Sequence, residues 1–245
     1  MSREPNWTTP LIIADGDVTG LVSMAMAAEE RISAGGQFRP VVWIPPLGDP
    51  TSAPRLACAR VQAELYDAII ADDPAAHVAP APAPVEGFSV SELLLRGCFV
   101  AAEHHCSRVI WPAHAGADEP DESALDRLSR AADRALLVSR LASVDAAEAH
   151  LNEISIQTPL LDLCDWRVAE LALDLRVPVS SCWWWGGRAG GRGERGGRVD
   201  HPGAEQERER WLAALARAGW HGAPPGADDP AAIVPEPSGR VPRPA

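Results

Sequence analysis

The stretch LIIADGDVTG, residues 11–20, decides the fold. Three apolar residues run into a turn with one glycine. A helical pattern follows, with Leu21, Met24, Ala25 and Ala28 spaced i, i+3, i+4, i+7. A buried strand that turns through a glycine into a helix is the opening unit of a parallel α/β sheet. The helix N-terminus offers amides to an anion, yet the loop carries two acids, Asp15 and Asp17. The residues alone leave three readings. Gly16 with positive φ and Asp17 or Thr19 as the cap makes a tight structural turn. Asp15, Gly16, Asp17 and Thr19 form a nucleotide-binding loop. The two carboxylates hold Mg²⁺.

Outward from this loop the pattern repeats. Strands are expected at 10–14, 39–44, 108–113, 153–158 and 178–182. Helices are expected at 19–32, 54–70, 89–106, 123–141, 162–175 and 204–218. The helix from 89 opens with the capping-box pattern Ser89-x-x-Glu92. Strands separated by helices predict a Rossmann-like parallel sheet with helices on both faces. Its ligands would lie beyond the carboxyl ends of the strands. The domain organisation reads as an N-terminal extension over 1–9 and an α/β domain over 10–185. A Gly/Arg-rich loop over 186–201, a C-terminal helix over 202–221 and a disordered tail over 222–245 follow. Residues 71–87, rich in Ala and Pro, read as an extended surface loop.

The chain has 245 residues, 46% of them hydrophobic, and a net charge of -12. That charge opposes non-specific binding to nucleic acid or an anionic membrane, which need a positive field. There is no lysine, so Schiff-base chemistry and lysine–phosphate contacts are excluded. Five scattered cysteines without C-x-x-C spacing suggest reduced thiols and a cytoplasmic protein. No apolar run reaches the ~18 to 20 residues of a membrane helix, and MSREPNWTTP has no signal-peptide core.

Other clusters carry less. Glu103-His104-His105-Cys106 looks like a metal set, but adjacent helical residues point about 100° apart, so a helix end with one buried cysteine is expected. His114 with Asp118 and Asp121 lies in a post-strand loop, where acid–base work or ordinary solvated polarity are both open. Trp183-Trp184-Trp185 is either a stacking platform for a purine-like ring or an apolar run buried in the chain or at a subunit interface.

The order of landmarks resembles the 7-cyano-7-deazaguanine synthases of the PP-loop ATP pyrophosphatase superfamily, with their adenine-nucleotide-hydrolase-like fold. The family's S-G-G-x-D-S loop corresponds to Ala14-Asp15-Gly16-Asp17-Val18-Thr19, and its Arg-Asn pair to Arg96-Gly97. Its tyrosine-proline-aspartate loop resembles Glu119-Pro120-Asp121. The segment 158–187, with Pro159-Leu160, Val177-Pro178 and Ser181-Cys182-Trp183, is the most similar. The resemblance implies ATP and Mg²⁺ as cofactors, conversion of 7-carboxy-7-deazaguanine and ammonia to the nitrile, and often a homodimer. It implies Arg96 and Asp121 as substrate-side residues.

Two departures bear on that activity. Of the family's four zinc cysteines only Cys182 is matched, so zinc is expected to be absent; His201 and His221 fit no common zinc spacing. The family's lysine after proline-leucine is Asp165 here. Together they favour a divergent protein that no longer runs the reaction, binds a nucleotide or small molecule, or acts as a partner, over an active ATP-dependent synthase.

Overall fold

β1 (Pro10–Ile13) is the central strand of a five-stranded parallel sheet, flanked by β2 (Val41–Trp43) and β4 (Arg108–Ile110). β3 (Ile69–Ile70) lies outside β2, and β5 (Ser155–Gln157) outside β4, giving the order β3-β2-β1-β4-β5. The fold is the expected α/β, Rossmann-like one. This computed structural model describes residues 9–46, 52–71, 88–116, 122–148, 153–185 and 203–220. The expectations for 1–8, 72–87, 186–202 and 221–245, and for Asp118 and Asp121, lie outside these described residues.

Strand residues alternate between two cores because successive side chains point to opposite faces. Leu11, Ile13, Val41, Trp43 and Val109 pack on the side of α3 (Phe88–Glu103) and α4 (Glu122–Glu148). Ile12, Ala14, Val42 and Ile110 pack on the side of α1 (Val18–Ser33) and α2 (Ser52–Leu65). α5 (Asp165–Asp174) and α6 (Ala204–Arg217) complete the α1 side through a second cluster that includes Val168, Trp183, Trp184 and Trp211. Both faces of β1 and β2 are covered, which is why they read as continuous apolar runs. The chain leaves β1 toward β2 and β3, then crosses back to β4. The carboxyl ends of β1 and β4 therefore form the topological switch point, where open α/β sheets place their ligands.

Three expectations are corrected. The helix expected over 54–70 ends at Leu65, and Ile69–Ile70 is a strand paired with Val41–Val42. The helix stops in a Schellman motif: Ala68 N donates to Ala63 O and Asp67 N to Glu64 O, with Asp67 at φ 51°. Arg31 and Arg39 hold the Asp67 carboxylate at 2.8 and 2.7 Å. The strand expected over 178–182 is instead a 3-10 turn, Val179–Ser181. Pro178 has no N–H to give a ladder, and the Ser181 hydroxyl donates back to Pro178 O at 2.7 Å. α4 runs seven residues past its expected end, to Glu148. The 103–106 stretch is a helix end: His105 sits at φ 55° and Cys106 is buried. No described helix is long and apolar enough to cross a membrane.

Candidate functional site

The loop after β1 is closed by the rest of its own chain. Gly16 has φ +83°, and a Cβ there would stand 2.5 Å from the Arg55 carbonyl oxygen at the start of α2. The Gly16 carbonyl accepts from Trp183 N at 3.1 Å and from Gln62 Nε2 at 3.3 Å. Gln62 is fully buried and also reaches Ser181 O at 3.4 Å and Cys182 Sγ at 3.7 Å. One amide thus ties α2, the first loop and the 3-10 turn together.

Asp17 is the N-cap of α1, and Oδ1 accepts from Val18 N at 2.8 Å. The same oxygen accepts from Trp184 Nε1 at 2.8 Å. Trp184 is 2% exposed, Asp17 8% and Thr19 6%. Burial raises the Asp17 pKa against the lowering effect of these two donors. Asp15 is also raised, by burial and then by the Asp17 charge, while Arg55 at 3.4 Å opposes this. Arg55 in turn lies 4.8 Å over the Trp183 ring.

A second polar cluster stands beside the carboxyl end of β4. The loop after β4 is fixed to the start of α5 by Ala115 N to Leu163 O and Asp165 N to Gly116 O. This brings His114 Nε2 to 2.9 Å from Asp165 Oδ1. From α6, Arg210 Nε and Nη2 approach Asp165 Oδ2 and Oδ1 at 2.6 Å each, a bidentate pair. Asp165 is therefore matched by an arginine from another helix.

Arg210 Nη2 also lies 2.9 Å from His114 Nε2. A guanidinium only donates. When Nε2 accepts from Arg210 the ring is neutral with its proton on Nδ1; when Nε2 is protonated it donates to Asp165. Burial would raise Asp165, but the hydrogen bonds from Arg210 and His114 outweigh it and hold its pKa at about 2. His114 stacks on Trp211 with ring centroids 5.7 Å apart.

Arg96 lies away from both groups, on α3 across the sheet. With Trp43, Pro45, Ser89 and Glu92 it lines a cavity of about 350 Å³ at the carboxyl end of β2. That volume is within the range of small-molecule pockets. Gly97 allows this helix to lie close: a Cβ there would be 3.3 Å from Ile13 Cδ1 and 3.4 Å from the Trp43 ring.

The structure therefore places Asp15, Gly16 and Asp17 in the loop and Thr19 in the first turn of α1, with Cys182 beside them, and leaves Arg96 in a different place. Cys182 is buried, and burial first, then Asp17, Cys58 and Asp15, push its thiol well up. Among the described residues no group of three or more His, Cys, Asp or Glu converges for a metal ion. The sequence reading missed Gln62, Trp184 as a hydrogen-bond donor, and Arg210. Gln62 left a signal, since it shares the buried face of α2 with Cys58 and Ala59 at i−4 and i−3. Arg210 left none, because its partner is 45 residues away. Compared with protein-family models and with curated proteins, the chain matches none.

Proposed function

We propose that this chain is a divergent, cytoplasmic relative of the 7-cyano-7-deazaguanine synthases that has lost ATP-dependent adenylation and keeps a small-molecule site. The contact between Asp17 and Trp184 carries the reading. A PP-loop would present the N-terminus of α1 to phosphate. Here a carboxylate of the chain itself takes that place, and an indole covers it. Asp15 is engaged with Arg55 in the same loop. Triphosphate and Mg²⁺ do not fit this arrangement without displacing Trp184.

The cavity beside Arg96 offers a cation and, from Glu92, an anion, with Trp43 and Pro45 as apolar walls. That set suits a compact ring system with one acidic edge and one hydrogen-bond-donating edge, such as 7-carboxy-7-deazaguanine. The test incubates the protein with Mg·ATP, ammonia and 7-carboxy-7-deazaguanine and measures AMP and pyrophosphate. The expected release equals the enzyme-free blank, and turnover above it overturns the loss of adenylation. Calorimetric titration with 7-carboxy-7-deazaguanine should show binding that falls at least tenfold in Arg96→Ala. No heat with the wild-type chain removes the small-molecule part of the proposal.

A further inference from the structure

We propose that the cleft between α3 and α4 is a binding site for a small lipophilic amine, a protonated nitrogen on a compact apolar body. The two helices pack against each other. The small side chains of Ala102 on α3 and of Ala142 and Ala146 on α4 leave a cavity of about 130 Å³ between them. Buried Cys98 and Ile154 form its floor, and both belong to the core on this side of the sheet. Burial pushes the Cys98 thiol up to about 12, so the floor carries no charge at neutral pH. An apolar cavity of ~150 Å³ stays dry and takes benzene. The ligand body that fits is therefore one six-membered ring or its branched aliphatic equivalent.

The rim supplies the charge. Asp145 borders the cavity, and among the described residues no cation pairs with it. Phe99, 56% exposed, borders the same opening, and an aromatic face attracts a cation held near it. Glu148, one turn on from Asp145 along α4, adds to the negative field. An anion is repelled here, and a neutral molecule leaves the carboxylate without a partner. Apolar floor and acidic, aromatic rim together select an ammonium group over an alcohol or a carboxylate on the same body. The cavity beside Arg96 shares no lining residue with this one, so the two sites are independent.

The test is a ligand-observed NMR titration of the full chain at neutral pH with benzylamine, which is protonated there. The expected dissociation constant is about a millimolar or tighter. Benzyl alcohol, the same ring without the charge, should bind about fivefold more weakly, and benzoate should give no signal. Asp145→Asn, an exposed substitution, should bring benzylamine down to the level of benzyl alcohol. Ala102→Leu, which sends an aliphatic side chain into the cleft from a half-buried position, should abolish binding with an unchanged circular-dichroism spectrum. Arg96→Ala should leave the benzylamine titration unchanged, so this inference and the proposed deazaguanine site fail separately. Absence of benzylamine binding at about 20 mM overturns the inference. So does binding that survives Ala102→Leu, or that is equally strong for benzyl alcohol and after Asp145→Asn.

Discussion

Trp184 donates its indole N–H to Asp17 across 2.8 Å, joining residues 167 positions apart. The bond pins the segment after α5 onto the first turn of α1. Trp184→Phe keeps an aromatic ring in the site and removes the donor. A hydrogen bond to a carboxylate contributes roughly 1.5–3 kcal/mol, so the variant should lose about 2 kcal/mol in urea denaturation. In an Asp17→Asn background the same substitution should cost less than half as much. Equal costs in both backgrounds would show that the two side chains are uncoupled.

Asp17 and Asp165 are both buried carboxylates with opposite pH behaviour. Asp165 is held at about 2, below its usual 3.8. Its contribution is fully present above 3.8 and is lost as pH falls through about 2, a window worth about 2 kcal/mol. Asp17 is raised, so its contribution is present below 3.8 and is lost as pH rises through its folded value. Asp165→Asn should therefore flatten the acid limb of the stability profile. Asp17→Asn should flatten the limb above pH 4 and gain on the wild type as pH rises. Parallel curves for wild type and both variants would refute the assignment.

Gly16 is fixed by its neighbours as well as by its φ of +83°. The atom a Cβ would strike is a backbone oxygen, Arg55 O at 2.5 Å, so relief requires moving the first turn of α2. Gly16→Ala should cost about 2–4 kcal/mol. At Gly35, also with positive φ, a Cβ meets nothing within 4 Å. Gly35→Ala should cost only about 1 kcal/mol. Denaturation midpoints of the two variants make the comparison, and similar losses would remove the role of the Arg55 contact.

The sheet was legible because its two central strands, β1 and β2, are apolar on both faces and are followed by acid or proline. β3 was hidden because Ile69–Ile70 continues the apolar pattern of α2, and a helix end set by an aspartate at φ 51° has no glycine to mark it. The site was legible only as a loop. That Asp17 caps α1 follows from its place before Val18; that it is covered by Trp184 depends on contacts between distant segments. The expected strand over 178–182 failed for a local reason, the missing N–H of Pro178, which the sequence did display. The Asp165–Arg210 pair shows the limit from the other side: the acid stands alone in the sequence, and the charge that matches it comes from a helix with no patterned link to it.

The same weakness of helix-end signals provides a last prediction. α5 ends with Arg176 at φ 52°, where Val177 N donates to Ala172 O and Arg176 N to Leu173 O. This is the Schellman geometry that glycine favours. The left-handed conformation costs a residue with a Cβ roughly 1–2 kcal/mol, partly offset by the greater freedom of glycine in the unfolded chain. Arg176→Gly should stabilise the protein by about 0.5–1 kcal/mol. His105, at φ 55° after α3, has the same hydrogen bonds through Cys106 N to Ala101 O, and His105→Gly should behave alike. Asp67→Gly should not, because Asp67 also receives Arg31 and Arg39. Melting temperatures that rise for the first two and not for the third establish the cap geometry. A fall for Arg176→Gly and His105→Gly would place those residues outside the left-handed region.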